Sequence, residues 1–260
     1  MREPTLTKRR GGGWIALLLV AIFLLVWELI VRAKNIPPYL VPAPSMIFSA
    51  LWTERGLYLQ AFLTTLGEAF AGLLLGVALG SLIASLLILV PAVEDGVMTL
   101  ALFTKSTPMV AIAPLLTIYF GFGIAPKIII TALITFFPVL INVLTGLQKV
   151  DPAQVDTFYY WNATKWEVFR YLRVPSALPL LFVALKISGP LALTGAVIAE
   201  WTGASGGLGR QMWLAYTNLN LPYLFGAIFM LAIAGITIYK VLDWAEKQII
   251  FWQRPSNSTT

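Results

Sequence analysis

The sequence predicts an all-α membrane protein: six transmembrane helices with one helix-turn-helix insertion on the cytoplasmic side. Three observations carry this expectation. Apolar runs of about 20 residues, the length that crosses a bilayer, recur along the chain. Of the 260 residues, 58% are hydrophobic and 12% are charged, against roughly 25% charged in a typical soluble domain. Lysine and arginine are also unequally shared between the two sides that alternate crossing would create. Mean hydropathy is +0.82, which leaves little room for a separate soluble domain.

The first expected span is "WIALLLVAIFLLVWELIV", Trp14 to Val31. Lys8, Arg9 and Arg10 precede it, as in a secretory signal, but the run is longer than a signal core and no small-x-small cleavage site follows. An uncleaved anchor is expected. The second span runs from about Thr64 to Val90, the third from Val97 to Phe120 and the fourth from Ile124 to Leu147. The fifth covers Ala177 to Ala199 and the sixth Pro222 to Leu242. Residues 1–13 are expected to form a cytoplasmic N-terminal segment, 14–247 the six-span transmembrane domain with its insertion at 151–176, and 248–260 a cytoplasmic tail.

Placing the N-terminus inside puts eleven basic residues on the inner side: Arg2, Lys8, Arg9, Arg10, Lys149, Lys165, Arg170, Arg173, Lys240, Lys247 and Arg254. Five, Arg32, Lys34, Arg55, Lys127 and Arg210, fall outside; Lys105 and Lys186 lie within spans. An excess of Lys and Arg marks cytoplasmic loops, so both termini are expected inside. The net charge of +6 follows from that excess, and nucleic acid is not an expected partner. The chain has no Cys and no His. That removes disulfides, thiol chemistry and the commonest neutral-pH base and metal ligand.

Within the spans, Gly72, Gly76, Gly80 and Ala84 recur every four residues. They form one small-residue stripe on which another helix can pack closely. Pro108, Pro114, Pro126, Pro138 and Pro190 each free a backbone carbonyl, tolerable in lipid only where neighbours or water satisfy it. A packing kink and a transport pathway both fit such prolines.

The insertion reads "DPAQVDTFYYWNATKWEVFRYLRVPSALP", Asp151 to Pro179. Asp151 can cap a helix that starts at Pro152, with Gln154 completing a capping box. Asn162 suits a left-handed helix end. Thr164 and Glu167 open a second box, Pro175 is expected to stop that helix, and Ser176 to cap the next span. Seven aromatics crowd these short helices. Some can sit at headgroup level; others are expected to form an exposed patch that a partner covers.

These residues resemble the "EAA" loop of ABC importer permeases. Asp156 stands at the acid position, Thr157 and Phe158 at the alanines and Asn162 at the glycine, while "VPSALP" matches the ending. The chain is similar from end to end to the nitrate/sulfonate/taurine/bicarbonate permease family. The matching pieces are "LVWELIVR" (Leu25 to Arg32), "LVPAPSMIFSAL" (Leu40 to Leu51), "KSTPMVAIAPLLTIYFGFG" (Lys105 to Gly123), "FFPVLINVLTGLQKVDP" (Phe136 to Pro152) and "VIAEWTGASGGLG" (Val197 to Gly209).

The resemblance implies a type I importer (MetI-like) permease subunit in the bacterial plasma (inner) membrane, working as a homodimer. It implies two cytosolic ATPase subunits and a periplasmic or lipid-anchored binding protein that delivers a small solute. The solute would be an anion of the family's kind, or a thiamine-precursor pyrimidine or riboflavin. The ATPase-coupling residues carried over are Asp156, Thr157, Phe158, Asn162, Ala163, Trp166, Pro175 and Pro179. No G-x-x-x-x-G-K-[ST] phosphate loop is present, so no cofactor is expected on this chain; ATP and Mg²⁺ would belong to the partner.

Ionisable groups inside spans are costly and therefore functional candidates. Glu28 and Arg32, four apart, are expected to pair. Glu68 can reach headgroups, and Glu200 reads as a hydrogen-bond acceptor beside the "GASGGLG" turn. Lys105 and Lys186 lie deeper, each beside a helix breaker; with Pro108 they are candidates for the translocation pathway. The rival class is a stand-alone secondary transporter or channel. Such proteins often show two related halves, and residues 1–130 and 131–260 do not repeat. The acids read as lying near span ends, which also argues against a proton-coupled carrier and an intramembrane enzyme.

Overall fold

The computed structural model describes residues 12–202 and 204–253. Arg2, Lys8, Arg9, Arg10, Gly203 and Arg254, with most of the two terminal segments, lie outside the described residues. Those described form helices and no strand: α1 (Gly12–Ala33), α2 (Pro44–Thr53), α3 (Arg55–Leu89), α4 (Glu94–Ser106), α5 (Met109–Phe120), α6 (Ala125–Gln148), α7 (Pro152–Tyr160), α8 (Lys165–Glu167), α9 (Val174–Trp201), α10 (Leu208–Thr217) and α11 (Leu221–Ile249). Pro44, Pro126, Pro152 and Pro222 all sit in the first turn of their helices, where a missing N–H costs nothing.

Among the described residues four helices are long and apolar enough to cross a bilayer: α3, α6, the continuous rod Lys165–Trp201 and α11. The count is five if α4 and α5 form one bent span; α1 is a further helix of 22 residues.

The contact of α3 with α6 builds the core. A Cβ at Gly72 would collide with Thr131, and one at Gly76 with Thr135 Oγ1. At Gly80 it would lie 2.9 Å from a Val139 methyl. The partners advance in step, 131, 135, 139, so the two helices run parallel with their backbones nearly touching. α9 crosses α6 in the opposite sense, with Gly195 against Thr131 at one end and Gly146 against Ala177 at the other. α11 closes on α9 where Gly189 meets Ile238. Ile130, Val139, Leu140, Ala184 and Ala196 are sealed between these helices. Thr135 and Thr145 return their hydroxyl protons to the carbonyl four residues back, so polar side chains sit in apolar helices without an outside partner. α1 lies on the flank, with Trp27 against Phe225 and Phe229 of α11 at 5.8 and 6.2 Å between ring centroids.

The spans depart from expectation in three places. α3 starts nine residues before Thr64, because Tyr58 is buried and donates its hydroxyl proton to the Tyr223 carbonyl at 2.9 Å. The third span is broken: α4 and α5 meet at a 94° bend. Pro108 has no N–H and forces Thr107 into an extended conformation, φ −78°, ψ 129°, as a residue before proline must be. Pro175 does not stop its helix. Residues Val168–Arg173 form a π turn that runs directly into α9, and that wider turn accommodates a proline that a tight α-turn would reject. Ser176 is therefore no cap; its hydroxyl donates to the Leu172 carbonyl at 2.7 Å within the continuing helix.

The α3–α6 contact predicts the effect of substitutions. Gly76→Leu must push the helices apart at the Ala132 carbonyl, 2.9 Å from the new Cβ, at a cost of at least about 1–3 kcal/mol. Gly235→Ala meets only a Pro190 carbon at 3.6 Å and should be tolerated. Folded yield in detergent should fall sharply for the first and stay unchanged for the second.

Candidate functional site

The insertion between α6 and α9 is held by local hydrogen bonds that the sequence specifies. Asp151 accepts the Ala153 N–H at 2.9 Å and starts α7. α7 ends with the Ala163 N–H bonded to the Phe158 carbonyl and the Asn162 N–H to the Tyr159 carbonyl, at 3.0 and 2.9 Å. That is the Schellman pattern, and it needs a left-handed residue at Asn162; φ there is 60°. Thr164 then caps α8: its N–H donates to Glu167 Oε2 at 2.7 Å while its Oγ1 accepts the Glu167 N–H at 3.3 Å. Arg173 donates to the Leu147 carbonyl at 2.8 Å, clamping the returning chain to the end of α6.

This geometry sorts the aromatics. Phe169 is buried, and Trp166 stacks on it at 5.5 Å. Phe158 is half-buried, 6.4 Å from Trp161, so it supports the turn more than it presents a surface. Tyr160 and Trp161 are 87% and 72% exposed, and they flank Asn162 at the tip. They are absent from the residues carried over from the family pattern. The signal that could have found them is positional: they are the last two residues before the left-handed turn.

Thr157, Phe158, Pro175 and Pro179 come together on one cleft of about 730 Å³, which Trp161, Tyr171 and Trp252 also line. Asp156, Asn162, Ala163 and Trp166 lie outside it. Asp156 is exposed on α7, and Ala163 is half-buried behind the turn.

The pathway candidates separate. Lys105 is exposed in the last turn of α4, its Nζ 4.7 Å from the centre of the Phe137 ring, and Pro108 opens α5 beyond the bend. Lys186 is elsewhere and is neutralised. Its Nζ lies 2.6 Å from Glu246 Oε2 and 3.7 Å from Asp243 Oδ1. Both acids are on α11, past the Leu242 at which the sixth span was expected to end.

A second polar cluster was misread from the sequence. Glu68 does not reach headgroups and Lys127 is not in an outer loop. Both are buried, with Lys127 Nζ 2.5 Å from Glu68 Oε1. Glu200, also buried, accepts from Thr65 Oγ1 at 2.6 Å and from the Gly209 N–H at 2.5 Å, one turn of α3 away from Glu68. The Leu208 N–H donates to Thr65 Oγ1 at 2.7 Å. The acids thus stay near span ends, Glu68 level with Lys127 in the first turn of α6 and Glu200 in the last turn of α9, but both are buried inside the bundle there. Glu200 is the hydrogen-bond acceptor expected of it. The cluster pins the α9–α10 turn onto α3 and α6. Glu28 and Arg32 pair at 2.5 Å as expected, and Glu28 also takes the Ser45 N–H at 2.9 Å.

Residues 72–252 match the model of the binding-protein-dependent transport system inner membrane component. The chain belongs to that family. Among curated relatives, the formylaminopyrimidine transport permease ThiX of Halalkalibacterium halodurans is 32% identical, over 90% of this chain and 93% of the relative. The riboflavin permease RibX of Chloroflexus aurantiacus is 29% identical over 92% and 89%, and the taurine permease TauC of Escherichia coli 26% over 90% and 87%. The fold is that of the inward-facing MetNI methionine ABC transporter, with a TM-score of 0.65 at 18% identity, covering 76% of this chain and 97% of the other. An amino-acid ABC transporter chain aligns with a TM-score of 0.64 at 20% identity, over 78% of this chain and 98% of that one. This protein is thus an ABC importer permease, a multi-pass component of the inner membrane.

In this permease the Lys127–Glu68 pair is a direct target. Lys127→Met strands a buried carboxylate and should cost about 3–5 kcal/mol, seen as a large loss of thermal stability in detergent. Adding Glu68→Leu should recover more than half of that loss, because replacing both charges by apolar groups removes the desolvation penalty with the pair.

Proposed function

We propose that this chain is the membrane half of a type I importer, with six spans, both termini cytoplasmic, and the 151–173 insertion as the joint to a cytosolic ATPase. Two copies of the permease would assemble with two ATPase subunits, and an extracytoplasmic binding protein would deliver the solute. ATP and Mg²⁺ belong to the ATPase in this reading. The single observation that carries it is the tip of the insertion, where Tyr160 and Trp161 stand exposed beside a fixed left-handed turn. Large aromatics held on a rigid turn are the groups that anchor interfaces. The hydrogen bond from Arg173 to the end of α6 and the unbroken rod into α9 would carry a push on that tip straight into two membrane helices. ATP binding and hydrolysis would then shift the permease between outward and inward states through different contacts in each.

For the solute we infer a small anion of the nitrate, sulfonate, taurine or bicarbonate kind, a reading supported by the likeness to the taurine permease. A second reading, a thiamine-precursor pyrimidine or riboflavin, is favoured by the higher identity to the permeases named for those solutes. A stand-alone carrier is disfavoured by the family match.

Tyr160→Ala with Trp161→Ala should leave the permease folded and inserted, since both side chains are mostly exposed and such changes usually stay within about 0.5 kcal/mol. Loss of an interface anchor costs about 2 kcal/mol or more per residue, so the co-expressed ATPase should no longer co-purify. Stoichiometric ATPase on the double variant would refute the joint.

A further inference from the structure

We propose that Lys105, at the elbow between α4 and α5, is the counter-charge for an anionic group of the solute, such as a sulfonate or carboxylate, midway through the translocation path. The proposal rests on the importer reading above and narrows its solute to an anion.

Depth comes first. Lys105 Nζ sits over the ring of Phe137, the thirteenth residue of the 24-residue α6. At about 1.5 Å per residue, each end of α6 is about 17–18 Å away, so the ammonium lies near the middle of the hydrocarbon layer. A lysine there costs about 2.5–3.5 kcal/mol on insertion scales. The Phe137 ring returns about 0.5–2 kcal/mol as a cation–π contact, which leaves the charge uncompensated.

Its neighbours are not in that position. Lys127 is paired with Glu68, Lys186 with Glu246, and Arg32 with Glu28. Among the described residues Lys105 has no carboxylate within 4.0 Å.

Among the described residues, a second copy of the chain has no spare acid to offer at this depth. Glu28, Glu68, Asp243 and Glu246 are engaged in ion pairs, and Glu200 is buried. Glu94 and Asp95 lie in the first turn of α4, about 15 Å from Lys105 at 1.5 Å per residue. Glu54 sits between α2 and α3, and Asp151, Asp156 and Glu167 belong to the insertion between α6 and α9. A cation held at mid-membrane without a protein counter-charge stays charged only beside water and a mobile anion. The broken backbone supports the same placement: irregular backbone at that depth is tolerated where it lines a water-filled cavity, and the α4–α5 bend occurs within three residues of Lys105.

The chain has no cysteine, so a single introduced thiol reports on this spot without a background. Ser106→Cys, in the full complex with its ATPase and binding protein in liposomes, is labelled with an anionic and a cationic methanethiosulfonate of similar size. The ratio of the two rates cancels changes in thiol ionisation. One nearby unit charge acting through partly aqueous surroundings contributes about 1 kcal/mol of opposite sign to each reagent. The anionic-to-cationic ratio should therefore be at least about tenfold higher with Lys105 than in the Lys105→Gln background, and sodium methanesulfonate should slow the anionic reagent. Equal ratios in the two backgrounds, or no reaction with either reagent, would overturn the proposal. Stimulation of ATP hydrolysis by the binding protein in the same liposomes tests the importer reading separately. That coupling can hold while the labelling ratio fails.

Discussion

The backbones of α3 and α6 approach closely because Gly72, Gly76 and Gly80 leave only the Thr131, Thr135 and Val139 side chains between them, and the rest of the bundle is arranged around that contact. Lipid offers no hydrophobic force to drive helices together, so close packing and buried hydrogen bonds must do it. The parallel approach fixes Thr131 and Thr135 against α3 and leaves the adjoining face of α6 for α9, which meets Thr131 through Gly195 and packs Ala177 on Gly146. The same approach carries Glu68 to Lys127 in the first turn of α6 and brings both to Glu200 at the end of α9. The ion pair is thus a consequence of helix packing and also its lock, since sliding either helix by one turn would strand a buried charge.

Much of this was readable in the sequence, for identifiable physical reasons. The glycine stripe has a spacing of four, which on a helix means one face. Asn162 and the Thr164–Glu167 box encode a turn through short-range bonds that need no tertiary partner, and the structure contains both. Span positions follow from hydrophobicity alone: the second, fourth, fifth and sixth expected spans have long apolar helices as counterparts, and the third a bent pair. What failed depends on partners distant in sequence. Glu68 and Lys127 are 59 residues apart, and each alone looks like a surface charge. Lys186 looked unpaired because its acids lie on α11 just past the apolar run. Pro175 looked like a stop because the π turn before it has no sequence signature as plain as a cap.

The insertion joins the two halves of this account. Its interior, Val168, Phe169 and half-buried Phe158, holds it to the bundle, while its tip is spent outward on Tyr160 and Trp161. A headgroup anchor would need its aromatics spread along the plane of the membrane surface. These two are instead clustered on one capped turn and supported from behind, as a contact that must transmit force requires. The stiffness comes from the caps, and the connection comes from Arg173 and the rod into α9.

Photo-crosslinking from benzoylphenylalanine placed at Trp161, in intact membranes containing the co-expressed ATPase, measures that contact most directly. The account predicts one dominant protein adduct, with the ATPase, whose yield changes when ATP is trapped. Adducts with lipid alone, in membranes where the ATPase is bound and active, would contradict it.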